Sequence, residues 1–346
     1  MFELKARTYA LSLAAIAAAL FLGVAAANVI IDPFAVFGTG LLPQSRNIND
    51  RYQSFIDYRA APQMYDGLFF GSSRAGRIPR QELMQRMDGV VFASFAVVGG
   101  SFVDYIPMLE FVLRDKRARG ERLRAVFLAL DVDGFGGKPF TNSSNQFLLP
   151  PALSGESAAR FWWKNLTSIQ FKVWRAAIAD ARRARVGAQR PDADAAGLLR
   201  RLLALAGDAA SPGVAKAQSS APSTPPARPP RKRVTDNFNF PKYLTLLERL
   251  AAICREHGID LTVVTTPLKR PWAAAYDLDD LAQAVGAVSR IVPVWDFFDP
   301  EGVPDRPDLW IDESHFTPKV GHMMLARMFG DPMPAEWKHF GRLLKP

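Results

Sequence analysis

The sequence predicts an α/β protein, a three-layer α/β/α sandwich on a central parallel sheet, preceded by an N-terminal transmembrane helix. Three observations carry this reading. Apolar runs of strand length near 67–71, 90–95, 124–131, 260–266 and 291–295 alternate with helical candidates at 79–87, 102–118, 241–257, 278–289 and 318–329. Strands separated by helices of this length need crossover connections, so they pair in parallel and bury both sheet faces. Residues 9–31, from Tyr9 to Ile31, carry no charge. At about 1.5 Å per residue that run crosses a ~30 Å hydrocarbon core.

Lys5 and Arg7 precede the apolar run. Positive charge on the short side predicts an N-in, C-out single-pass anchor, with residues 1–8 in the cytoplasm and residues 9–31 in the inner (cytoplasmic) membrane. The following domain, 38–346, is then periplasmic or extracellular. A cleaved signal peptide is the competing reading, with Ala25-Ala26-Ala27 as an Ala-x-Ala site. The anchor is preferred, because the apolar run continues through Val29-Ile30-Ile31 beyond that site. Asp32-Pro33 ends the helix, since proline restricts the residue before it and donates no backbone N–H. Residues 38–66 read as an irregular approach to the first strand.

A helical insertion is expected over 151–236, beginning at Pro150-Pro151. Phe161, Trp162, Trp163 and Trp174 fall there among basic residues at helical spacing. Such a pattern can rest on a membrane interface or line a sugar groove, and ordinary packing is the commoner use. Residues 208–233 have too few large apolar groups to bury and are expected to be a disordered Pro/Ala/Ser linker. Positions 175–233 hold twelve basic residues against four acidic, so nearly all of the formal net charge of +9 lies in one segment. A solvated basic surface explains that, and lipid headgroups or an anionic polymer are the partners it would suit. No nucleic-acid reading module is present, so no nucleic-acid partner is expected.

The single cysteine, Cys254, excludes an intrachain disulfide and sits on an apolar helical face, as a small core residue. The four histidines, His257, His315, His322 and His339, lack ligand spacing for zinc. No metal and no cofactor are expected.

The chemistry is anchored at Asp312-Glu313-Ser314-His315. A carboxylate three residues before an imidazole, on a turn leading into a helix, can hold one ring nitrogen and leave the other as a general base. The best nucleophile candidate lies in Leu68-Phe69-Phe70-Gly71-Ser72-Ser73-Arg74, where a strand-like run breaks at glycine and presents hydroxyls at its carboxyl end.

These residues resemble the SGNH/GDSL hydrolases. Gly71-Ser72-Ser73 is similar to the family's Gly-Asp-Ser, with serine in the aspartate's place, which implies Ser73 as nucleophile. Asp312-Glu313-Ser314-His315 running into Pro318-Lys319-Val320-Gly321 resembles the last block and implies Asp312 and His315 as its partners. Ser94-Phe95-Ala96-Val97-Val98-Gly99 is similar to the second block, with Ser94 where asparagine is usual, and Gly99 is implied as an oxyanion donor. The third block's asparagine is replaced by Asp133 in Leu130-Asp131-Val132-Asp133. An ionised carboxylate repels a developing oxyanion, so Asp133 is protonated, or another donor serves, or the site works differently. The resemblance covers residues 66–330, interrupted by the insertion. It implies an SGNH/flavodoxin-like fold and serine-dependent acyl chemistry, O-acetyl transfer to or hydrolysis from an exported polysaccharide. A membrane-bound O-acyltransferase is the partner implied.

Two other classes compete. Asp131-Val132-Asp133 after a hydrophobic strand also resembles the first motif of haloacid-dehalogenase-type phosphatases, with Asp131 as nucleophile and Asp133 as acid/base. Thr265 or Thr266, Lys269, Asp296 and Asp299 would then serve phosphate and Mg²⁺. The third reading is a non-catalytic carbohydrate-binding module that keeps the fold, which Asp133 in the asparagine position favours.

Overall fold

The computed structural model describes residues 2–42, 49–135, 149–188, 231–304 and 306–346. The chain divides into two compact units, 1–56 with 143–200 and 57–142 with 201–346.

The first unit is helical. Its N-terminal helix runs Phe2–Ile31, and over Arg7–Ile31 it is long and apolar enough to cross a membrane. It stops at Asp32, whose side chain accepts the backbone N–H groups of Val36 (2.9 Å), Phe37 (3.2 Å) and Gly38 (2.8 Å). Three donors that the broken helix would leave unpaired are thereby satisfied. The predicted insertion begins with helices Pro151–Ser154, Ala158–Thr167 and Phe171–Ala188. Phe161 of the second is buried with Phe34 and Val36.

The second unit is α/β, with a six-stranded sheet in the order β2-β1-β3-β4-β5-β6. The strands are Gly67–Gly71, Phe92–Ala96, Ala125–Leu130, Asp260–Thr265, Val294–Asp296 and Arg342–Leu344 for β1, β2, β3, β4, β5 and β6. All pairings are parallel except β5 with β6. Every residue of β1 and β3 is buried, as expected of parallel strands with covered faces. Phe69 faces Phe127 in register, and their rings stack at 5.1 Å. Helices Arg80–Arg86, Phe102–Ala118, Phe240–Glu256, Leu278–Ser289 and Pro318–Phe329 supply the crossovers and the C-terminal layer, each within two residues of its expected span. The chain leaves β1 for β2 on one side and returns to β3 on the other. The carboxyl ends of β1 and β3 are thus the switch point of the sheet, where open α/β folds place ligands.

Two expectations are corrected. Residues 38–66 are not irregular throughout, because Asp50–Ala60 is a helix, started by Asn49, whose side chain accepts the Tyr52 N–H at 3.2 Å. The disordered stretch expected over 208–233 lies outside the described residues up to 230, but its last residues are held. Lys232 exchanges backbone hydrogen bonds with Ala275 and Asp277, and the Asp280 carboxylate accepts the Val234 N–H at 2.5 Å and also receives Arg233.

Cys254 is 1% exposed, and burial pushes its thiol up to about 12. A thiol reagent at pH 8 is therefore expected to leave the native protein unlabelled and to label one cysteine after denaturation. Fast native labelling would contradict the packing of helix Phe240–Glu256.

Candidate active site

The turn after β1 and the loop before helix Pro318–Phe329 are brought together by backbone. Gly321 has no room for a side chain, since a Cβ there would sit 2.4 Å from the Arg77 carbonyl oxygen and 2.8 Å from Pro79 Cδ. This close approach seats the C-terminal helix directly on the segment that follows Gly71-Ser72-Ser73. The preceding loop is closed by a bridge between Trp310 and Phe316, by Ile311 N–H donating to His315 C=O (2.8 Å), and by Thr317 N–H donating to Leu309 C=O (2.9 Å). Phe316 is fully buried and moors the loop in the core, while its neighbour His315 stays partly exposed.

Ser73 Oγ and His315 Nε2 are 2.9 Å apart, and His315 Nδ1 is 2.8 Å from Asp312 Oδ2. Asp312 Oδ1 also accepts the backbone N–H groups of Ser314 (2.7 Å) and His315 (2.8 Å). Burial pushes the Asp312 carboxyl up, but those backbone donors and the His315 ring outweigh it and hold it down at about 2. An ionised carboxylate only accepts, so Nδ1 carries the ring proton and Nε2 is left as an acceptor for the Ser73 hydroxyl. Serine, imidazole and carboxylate thus form a continuous hydrogen-bonded relay within general-base reach.

Gly99 lies at the left-handed position (φ +62°) of a turn closed by Gly100 N–H to Val97 C=O at 2.8 Å. Val97 N–H in turn donates to Gly71 C=O at 3.0 Å, so this turn is tied to the end of β1. Among the described residues no acceptor takes the backbone N–H of Ser73 or of Gly99. Both are open donors on the strand edge that carries the relay.

Asp133 does not stand in the relay. Its Oδ2 accepts from Arg74 Nη2 at 3.1 Å and its Oδ1 from the Tyr276 hydroxyl at 3.3 Å. Asp131 is engaged alongside it, with Arg74 Nη1 at 3.5 Å and the Thr266 hydroxyl at 2.5 Å. The remaining groups of the phosphatase reading are also occupied. Thr265 and Asp296 are hydrogen-bonded to each other, Asp296 pairs with Arg342 at 3.0 Å, and Lys269 pairs with Glu313 at 3.1 Å. Asp299 accepts the Glu301 N–H. Among the described residues no group of three His, Cys, Asp or Glu side chains could hold a metal ion.

The residue that sequence reasoning did not assign is Arg74. It is 5% exposed, pairs with both Asp131 and Asp133, lies over the Trp272 ring at 5.9 Å, and donates from Nε to the Ser314 carbonyl at 2.8 Å. One guanidinium therefore links the nucleophile turn, the β3 edge and the histidine loop. The signal for it was the pair Asp131-x-Asp133 at a neighbouring strand end, since two carboxylates close to one another call for a cation.

Comparison with models of known protein families gives no match, and none is found among curated proteins.

Proposed function

We propose that the chain is a membrane-anchored, SGNH-type acyl-transfer enzyme that moves O-acetyl groups onto or off an exported polysaccharide. The observation that carries this reading is the Ser73–His315–Asp312 relay, with its members in the family's chain order and on one sheet edge. The strand order 2-1-3-4-5 with the site at the β1/β3 reversal is that of flavodoxin-like three-layer folds, which supports the fold part of the proposal.

The chemistry is a double displacement. Ser73 Oγ attacks the acetyl carbonyl carbon while its proton passes to His315 Nε2, and Asp312 stabilises the imidazolium. The Ser73 and Gly99 N–H groups receive the oxyanion, which releases Asp133 from that duty. Collapse expels the donor alcohol with the proton from His315 and leaves an acetyl-Ser73 ester. A sugar hydroxyl or water then gives its proton to His315 and attacks that ester, restoring Ser73. The acceptor alone separates transferase from esterase, and no cofactor takes part.

Membrane attachment is supported by Asn28, which is 1% exposed and built into the helical unit. Cleavage after Ala27 would cut the helix one residue before it. In this reading the basic Lys5 and Arg7 favour an N-terminus in the cytoplasm, with the α/β unit in the periplasm. A membrane-bound O-acyltransferase would be a natural acyl source for such an enzyme.

The test is labelling with a fluorophosphonate, followed by peptide mapping. An SGNH-type enzyme is labelled at Ser73, whereas a non-catalytic module or a phosphatase using Asp131 is not.

Arg74 acts as a positioning residue in this scheme. Arg74→Met leaves two partly buried carboxylates without their cation, and a loss of roughly 3–5 kcal/mol is expected. It also frees the Ser314 carbonyl, and a histidine loop displaced by about 1 Å slows acylation on the order of 10²-fold. Adding Asp133→Asn should recover part of the melting temperature without recovering the labelling rate. Recovery of both together would assign Arg74 a purely structural role.

A further inference from the structure

We propose that helices Ala158–Thr167 and Phe171–Ala188 form a collar that sits in the bilayer surface around the exit of the N-terminal helix, with lipid as its occupant. The inference rests on the membrane-anchor reading above and adds a second, peripheral membrane contact to it.

The argument begins with depth. The uncharged run from Thr8 to Ile31 is about 36 Å long at 1.5 Å per residue, only about 6 Å more than a ~30 Å hydrocarbon core. Phe21 lies ten residues before Ile31, about 15 Å down the helix axis. Wherever the span settles within its slack, Phe21 is therefore about 9 Å or more inside the hydrocarbon. Trp163 stacks on it with ring centroids 5.4 Å apart. A side chain held against Phe21 enters the same layer.

The collar is pinned at that height by a polar lock. Asn28 Nδ2 donates to the carbonyls of Leu166 (2.8 Å) and Ser168 (3.1 Å), at the end of the first collar helix, and Asn28 Oδ1 accepts the Trp174 indole N–H at 2.9 Å. Both N–H groups of the buried amide and its oxygen are engaged locally, so the helix pair cannot slide along the span without breaking these bonds.

The outer face has the composition of an interfacial segment. Trp163, Ile169 and Phe171 are 59%, 54% and 67% exposed, and Trp162 is 40% exposed. Lys172, Arg175 and Arg182 are exposed on the second helix. Large apolar groups beside a transmembrane span, with cations on both helices, Arg160 and Lys164 of the first being paired with Glu156, match the acyl boundary and anionic headgroups of one leaflet. Ring stacking with a residue inside the span is what favours lipid over a soluble partner for this face.

The experiment uses purified full-length protein in phosphatidylcholine/phosphatidylglycerol vesicles, with or without lipids dibrominated at mid-chain. Bromine quenches tryptophan only on close approach. Tryptophan emission of the wild type is expected to fall in brominated vesicles, and W162F/W163F is expected to lose most of the quenched fraction while still floating with the vesicles. Phe171→Trp placed in that double variant should restore quenching, which guards against a misfolded variant. Wild-type protein that floats but is not quenched, or a double variant quenched as strongly as wild type, overturns the collar and leaves the anchor standing. Protein that does not float at all overturns both.

Discussion

Ser73→Ala is expected to abolish acyl-ester turnover, by about 10⁴-fold or more, and to eliminate fluorophosphonate labelling while leaving the fold intact. The hydroxyl removed is, among the described residues, the one hydrogen-bonded to His315 Nε2, at 2.9 Å, and alanine offers no atom to attack with. The neighbouring Ser72 cannot substitute. It is 6% exposed, and its Oγ accepts the Arg74 backbone N–H at 3.2 Å, while His315 Nε2 is bonded to Ser73. Stability should change little, since Ser73 is partly exposed and the loss of one hydroxyl there costs within about 0.5 kcal/mol. Measured side by side, p-nitrophenyl acetate hydrolysis, probe labelling and melting temperature decide the matter. Labelling retained in Ser73→Ala would move the nucleophile elsewhere, and a drop in melting temperature equal to that of a core substitution would make the serine structural.

The sheet was legible in the sequence for a physical reason. Parallel strands covered on both faces are written as unbroken apolar runs, and β1 and β3 are such runs, buried at every position. The relay was legible because Asp312 and His315 are three residues apart and their contact is local, while Ser73 announces itself by the glycine that ends β1. What sequence did not show depends on tertiary pairing. The strand Arg342–Leu344 is three residues long, partly exposed and antiparallel, too short to carry a period. Helix Asp50–Ala60 hides its inner face because Arg51, 3% exposed, shares that face with Phe55 and Tyr58, so the apolar stripe is interrupted by a charge. Arg74 was passed over for the same kind of reason. Its partners Asp131, Asp133 and Ser314 are scattered over 240 residues of chain, and only the fold gathers them. That gathering also changes the meaning of Asp133. In the sequence it reads as an obstacle to an oxyanion, whereas in the fold it is one of two carboxylates that hold the arginine in place.

Asp312→Asn carries the second large effect, and the local geometry fixes its sign. Asp312 Oδ1 is committed to the Ser314 and His315 backbone N–H groups at 2.7 and 2.8 Å, so an asparagine there keeps its carbonyl oxygen on that side. Its NH₂ then occupies the place of Oδ2, 2.8 Å from His315 Nδ1. Two donors cannot face one another, so the ring shifts its proton to Nε2 and accepts from asparagine at Nδ1. Nε2–H then points at Ser73 Oγ, and the base that should remove the serine proton is itself carrying one. A fall in kcat on the order of 10⁴-fold is expected with little change in KM, because the substrate contacts are untouched. The loop should survive, since the two backbone donors keep their acceptor. In the wild type the Asp312 carboxyl is held down at about 2, so at neutral pH it presents a full negative charge to the imidazolium formed during the attack, and asparagine does not. Near-wild-type turnover in Asp312→Asn would show that Asp312 merely shapes the loop and that His315 is oriented by something else.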